Sequence, residues 1–253
     1  MRKITQIGMF ATVAVMMLMS SVAEAQDPKL SVNTILQKME DNLNGFKDQT
    51  MSVRITVMDV SGSSKDYEFT IYQKGDDKRL IRFTSGEFTG MATLIEDHDH
   101  IYIYLPGFKK VRRVAAHNMN QTFAGSDFTN EDMSNASWTK SYNATLDHED
   151  SDYWYLLCIP KPDSTLSYGK ALVKVNKKNF FQDGVVYYNK SGEKVKVFEN
   201  GNPGQFPGGL RNRSVLVTDP RSGHKTMLTV KDFNVNQGLP DSMFTVRQLE
   251  WGR

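Results

Sequence analysis

Between Ser31 and Phe46 apolar residues recur at helical spacing, at Ile35, Leu36, Met39, Leu43 and Phe46, while Gln37, Lys38, Glu40, Asp41 and Asn42 fill the other face. Ser31 is placed to cap the start and Gly45 to end the helix. A single apolar stripe means that this helix docks on something. The pattern then changes to period two, with runs rich in β-branched and aromatic residues. They are Thr50–Val60, Tyr67–Lys74, Arg79–Thr84, Met91–Glu96, Ile101–Leu105, Phe108–Val114 and Thr139–Leu146 in the first part of the chain. Tyr153–Ile159, Lys170–Asn176, Val185–Asn189, Lys194–Glu199, Ser214–Thr218 and Lys225–Phe233 follow, with a last strand expected over Thr245–Leu249. Gly, Asp and Ser turn signals fall between the runs, which predicts a meandering antiparallel sheet in one domain spanning residues 26–253. A short helix is expected within Ser126–Ser134, and a surface loop over Asn200–Leu210, which is rich in Gly and Pro.

Residues 104–113, YLPGFKKVRR, place Lys109, Lys110, Arg112 and Arg113 within five positions. Pro106-Gly107 suits the centre of a type II turn, or a longer connection. Ile101, Ile103 and Leu105 point one way on the strand before it, Tyr102 and Tyr104 the other. On the return strand Lys110 and Arg112 share one face while Lys109, Val111 and Arg113 share the other, so this is a rim hairpin whose cations do not form a single patch. The whole chain carries 31 basic and 29 acidic residues, and without a global basic field nucleic acid is excluded as a partner.

The N-terminus sets the compartment. Arg2 and Lys3 precede an uncharged, mostly apolar stretch from Ile7 to Val22, then Ala23-Glu24-Ala25, an A-x-A pattern that predicts a leader over residues 1–25 cleaved after Ala25. The alternative, a membrane anchor, needs about 20 apolar residues. The lone cysteine, Cys158, allows no internal disulfide, and with no cysteine after the leader there is no thiol to acylate. A soluble, exported, monomeric protein is expected.

Runs along most of the mature chain, GDDKRLIRFTSGEFTGMATLI, IYIYLPGFKKVRRV, FAGSDFTNEDM, RSGHKTMLTVKDF and MFTVRQLEW, resemble the outer membrane lipoprotein-sorting proteins of the LolA-like superfamily. The chain departs from that pattern at Ser85-Gly86-Glu87, where a proline is expected, and in the longer segment 200–210. The resemblance implies a mainly β, α+β fold: a strongly curved antiparallel sheet forming an incomplete barrel, its concave side closed by helices. It further implies a periplasmic carrier of lipid or lipoprotein acyl chains in a hydrophobic cavity, acting without chemistry or cofactor. A permease of the resistance-nodulation-division type is the implied partner. A non-transporting adaptor of such a permease is the alternative, and a lipid hydrolase a distant third.

Candidate cavity aromatics are Phe69, Tyr72, Phe83, Phe88, Tyr102, Tyr104, Trp138 and Trp154. Lys109, Lys110, Arg112 and Arg113 are candidates for a head group or partner surface. Gly125, Ser126 and Asp127 are candidates for a lid hinge, with Ser126 or Asp127 capping the following helix. Asp97-His98-Asp99-His100 offers two histidines without a clear third ligand, so no metal is expected. There is no G-x-S-x-G elbow, and Cys158 lies in an apolar run unsuited to a reactive thiolate. Glu131-Asp132 and Glu149-Asp150 read as solvated charges, and His117, His148 and His224 have no evident partner. No catalytic constellation emerges.

Overall fold

The structure is a computed structural model that describes residues 30–134 and 137–251. The expected leader lies outside the described residues, and among them no helix is long and apolar enough to cross a membrane. The first helix, α1 (Val32–Asn44), starts where the pattern predicted: the Ser31 hydroxyl accepts from the Thr34 amide at 3.1 Å, and Ile35, Leu36 and Met39 are buried.

Six strands then follow as consecutive hairpins: β1 (Asp48–Met58), β2 (Ser64–Lys74), β3 (Lys78–Ser85), β4 (Ala92–Asp97), β5 (His100–Leu105) and β6 (Lys110–Arg113). The chain next passes through α2 (Asn130–Ser134) and α3 (Trp138–Ser141). A second meander comprises β7 (Tyr142–Glu149), β8 (Tyr153–Pro160), β9 (Tyr168–Asn176), β10 (Gln182–Asn189) and β11 (Lys194–Asn200). A separate hairpin, β12 (Pro203–Phe206) and β13 (Gly209–Asn212), precedes β14 (Ser214–Thr218) and β15 (Lys225–Val235), and α4 (Val246–Trp251) ends the described chain. The large sheet has 13 antiparallel strands, with β15 paired to β1 and with β6 and β7 at its two edges.

That sheet is open but far from flat. Eight strand steps separate β2 from β7, roughly 38 Å in a flat sheet at about 4.8 Å per step. Yet Lys140, just before β7, pairs with Asp76 at 2.8 Å and Asp77 at 3.2 Å in the β2–β3 turn. Only strong curvature brings these together, which is the incomplete barrel that the resemblance implied.

The two faces bury different cores. Val185 on β10 and Val217 on β14 both lie opposite Phe198 on β11, and directly paired residues share a face. Phe198 therefore joins two core clusters on one face: Phe69, Phe83, Ile81 and Phe233 on one side of it, and Leu156, Val173, Tyr187 and the α1 stripe on the other. Leu80, Leu94 and Tyr104 point to the opposite face, where Phe244 and Leu249 cover them.

Topology dictates what closes the inner face. Because β6 and β7 are opposite edges, the connection between them must cross the sheet. Its Phe123, Phe128 and Met133 are buried in the first cluster and Trp138 in the second, so it crosses the inner face as a cover.

Several local expectations change. Thr245–Leu249 is not a strand: the Thr245 hydroxyl accepts from the Gln248 amide at 3.3 Å, and the spacing of Val246 and Leu249 lets α4 dock both. Residues 200–210 are not a plain loop, because Pro203 opens a short strand and Pro207-Gly208 turn the chain into β13, whose first residue is Gly209 (φ 112°). Thr139 and Lys140 belong to α3, capped by the Ser137 hydroxyl. The β5–β6 connection is a 3₁₀ turn over Pro106–Phe108, with Lys109 (φ 49°) and not Gly107 in the left-handed region.

Candidate functional site

The inner face between β1–β5 and the cover is an aromatic floor. The Phe123 ring lies 5.7 Å from Phe83 and 6.2 Å from Phe69, and Phe88 lies 5.5 Å from Phe83 and 5.2 Å from Tyr67. Phe69, Phe83 and Phe88 of the sequence candidates are thus brought together, and Phe123 fills the space among them. Trp138 sits in the second cluster, 5.0 Å from Tyr142, and Trp154 at its margin, 5.4 Å from Phe180. Tyr72, Tyr102 and Tyr104 are not part of this floor, since they pack on the outer face against the α4 end of the chain. Sequence reasoning missed Phe123, Phe128 and Phe198; the only signal was that the first two flank the Gly125 turn.

That turn is built from two consecutive left-handed residues, Ala124 (φ 51°) and Gly125 (φ 69°). Glycine adopts this region freely, while alanine is strained there. The Phe123 amide donates to the Phe128 carbonyl at 2.7 Å, and the Ser126 hydroxyl accepts from the Phe128 amide at 3.2 Å. Ser126 therefore closes the turn. The cap of α2 is Thr129, whose hydroxyl accepts from the Asp132 amide at 3.1 Å while Asp132 accepts from the Thr129 amide at 2.8 Å. Asp127 ties the turn to the β14–β15 connection: its carboxylate lies 2.8 Å from His224 Nδ1 and accepts from the Thr226 hydroxyl at 2.7 Å. His224 thus has a partner that the sequence did not reveal.

Between the two apolar clusters runs a polar seam. Glu131 and Asp132, expected to be solvated, are buried, because the cover enters the interior at α2. Asp132 pairs with Lys196 and accepts from the Tyr168 hydroxyl at 2.8 Å. Glu131 accepts from the Ser167 amide at 3.0 Å; burial nevertheless holds its pKa above the usual carboxylate value. Glu40 on α1 accepts from the Thr139 amide at 2.8 Å and from the Ser137 hydroxyl, fastening α1 to α3. A cavity of about 190 Å³ opens in the seam, with Arg79, Arg211, Glu131, Asp132 and Tyr142 on its walls. It is smaller than the about 300–1,000 Å³ typical of ligand pockets. The interior is therefore not one apolar tunnel.

A second groove, of about 290 Å³, lies at the sheet edge. Phe88, Met91, Ile103, Leu105 and Phe123 form its apolar wall. Arg112 opposes Ile103 and Lys110 opposes Leu105, so both share the face of that wall, whereas Arg113 opposes Tyr102 on the other face and donates to the Asp99 carbonyl at 3.3 Å. Lys109, Lys110 and Arg112 are exposed and have no carboxylate partner among the described residues. Cys158 is fully buried, its thiol pushed up to about 12 by desolvation. Asp97 and His100 pair with each other at 2.7 Å, and among the described residues no group of three His, Cys, Asp or Glu could hold a metal.

Comparison with known proteins gives this geometry its context. A family model described as "-like: Uncharacterized protein" matches residues 75–251. Among solved structures, a DUF1329 family protein from Desulfovibrio piger superposes with a TM-score of 0.79 at 23% identity, covering 86% of this chain and 98% of the other. A LolA superfamily protein from Nitrosomonas europaea superposes with a TM-score of 0.74 at 22% identity, covering 86% of this chain and 99% of the other. The chain belongs to the family whose model matches residues 75–251, and it shares the LolA-like fold of these structures. A domain assigned as an outer membrane lipoprotein-sorting protein from Vibrio parahaemolyticus shares the LolA-like fold, with a TM-score of 0.74 at 24% identity over 85% of this chain and 97% of the other. No curated protein matches the chain.

Proposed function

We propose that this LolA-like protein is a periplasmic carrier that holds a lipid, or the acyl chains of a lipid-modified protein, on the aromatic floor beneath its cover. The observation that carries this reading is the placement of Phe123. It occupies the floor among Phe69, Phe83 and Phe88 and is attached through a turn of two left-handed residues, where an acyl chain can take its place. Burying a chain contributes about 0.8 kcal/mol per methylene, so a long chain gains some 10 kcal/mol gross, enough to offset lifting one aromatic side chain. The fold shared with lipoprotein-sorting relatives and the leader-like N-terminus support the compartment and the cargo class. Such a carrier performs no covalent chemistry.

The exposed cations beside the edge groove suit contact with an anionic membrane surface, or with the permease that the sequence resemblance implies. Titration of the purified protein with a fluorescent fatty acid tests the carrier reading: saturable binding at one site, competed by unlabelled palmitate, is expected. Absence of saturable binding, with the fold intact by circular dichroism, overturns it.

A further inference from the structure

The polar seam holds two half-buried guanidinium groups that are hydrogen-bonded only to neutral partners. Arg79 donates to the Gln73 side-chain carbonyl at 2.9 Å and to the Met133 carbonyl at 2.6 Å. Arg211 donates to the carbonyls of Leu43 at 3.0 Å and Asn42 at 3.3 Å. All four partners are neutral. The two carboxylates on the same cavity are engaged elsewhere, Asp132 with Lys196 and Tyr168, Glu131 with Ser167. The guanidinium groups also oppose each other: burial lowers both to about 10, and the Arg211 charge adds to the shift at Arg79. Both remain charged at neutral pH. The helix ends they cap explain part of their placement, because the C-terminal carbonyls of α1 and α2 carry partial negative charge. A helix end supplies only about half a charge, however, and each guanidinium has five N–H donors. The Tyr142 hydroxyl and the Gln182 amide oxygen line the same cavity, buried and without a hydrogen-bond partner.

We infer that the cavity between Arg79 and Arg211 is a site for an oxyanion, a phosphate or carboxylate group, held by the free edges of the two guanidinium groups and by the Tyr142 hydroxyl. Planar guanidinium forks match both anions in geometry, and a half-buried charge without a counter-ion is costly. The cavity of about 190 Å³ fits a head group and not a chain. Phe128, which packs in the aromatic cluster of the inner face, also lines it, so a head group bound here has its chain directed onto the floor. This chain placement rests on the carrier reading; the anion site itself does not.

Octyl phosphate, octanol and inorganic phosphate are titrated calorimetrically into the intact protein and into Arg79→Gln and Arg211→Gln. The wild type is expected to bind octyl phosphate about tenfold or more tighter than octanol, and each Gln variant to lose most of that preference. Should a Gln variant fail to fold, Arg79→Lys and Arg211→Lys keep the charge without the fork, and an intermediate preference that declines with salt supports the site. Inorganic phosphate binding as tightly as octyl phosphate also supports it, but identifies a free anion as the ligand and removes the placement of the chain on the floor. Equal binding of octanol and octyl phosphate by the wild type overturns the anion site and leaves the carrier standing. A preference unchanged in the folded variants overturns it as well. Binding of none of the three probes overturns both.

Discussion

Phe123→Ala separates a removable cover from an ordinary piece of core. Phe123 is 3% exposed and contacts two aromatic rings of the floor. Truncating such a side chain costs about 3–5 kcal/mol, the lost transfer energy plus the cavity left behind. With a urea slope of about 2 kcal/mol/M, the unfolding midpoint should fall by roughly 1.5 to 2.5 M. The second consequence has the opposite sign. If a bound chain replaces the Phe123 ring, part of the wild-type binding energy is spent in lifting that ring, and the variant is relieved of this cost. Recovery of only about 1.4 kcal/mol of it raises affinity for the fluorescent fatty acid about tenfold. The assay is therefore paired: urea denaturation followed by tryptophan fluorescence, and probe titration under native conditions. Lower stability together with unchanged or weaker binding refutes the claim that Phe123 occupies the ligand's place.

Three further outcomes test the interior. Lys196→Met leaves the Asp132 carboxylate buried without its cation and should destabilise by about 3–5 kcal/mol in urea denaturation, whereas Lys231→Met, at an exposed pair with Glu68, should leave the urea midpoint nearly unchanged. Glu131 has a folded-state pKa above its unfolded value, so the folded state binds the extra proton, and stability from this group falls as pH rises from about the unfolded value through the folded one. Urea midpoints measured across that acidic window in the wild type and in Glu131→Gln should differ by an amount that moves against the wild type as pH rises, because the other carboxylates contribute equally to both. Cys158, with its thiol pushed up to about 12, should resist a thiol-reactive disulfide reagent in native buffer and react once denatured; fast native labelling contradicts its burial.

The strands were largely legible because the sheet is buried on much of both faces, which leaves long β-branched and aromatic runs bounded by glycine turns. Each apolar run from Thr50–Val60 to Lys225–Phe233 marks a strand of the 13-stranded sheet. The failures share a cause in tertiary context. Thr245–Leu249 is too short for its period to decide between strand and helix, and the docking of Leu249 decides it. Tyr72, Tyr102 and Tyr104 look like cavity aromatics only until α4 is known to cover the outer face. Glu131 and Asp132 read as solvated because nothing local shows that the chain crosses the interior there. That crossing follows from β6 and β7 being opposite edges, a property of the whole topology. Arg79 and Arg211 lie far apart in sequence and meet at one cavity because the separate β12–β13 hairpin packs on β15 and reaches the end of α1.

Mass spectrometry of the organic extract of the protein, exported to the periplasm and purified without detergent, tests the carrier most directly. A carrier yields a lipid in near-stoichiometric amount, lost or reduced in a variant that blocks the floor, such as Ile81→Arg, when that variant folds. A clean extract from the folded wild type, together with no saturable binding of the fluorescent fatty acid, contradicts it.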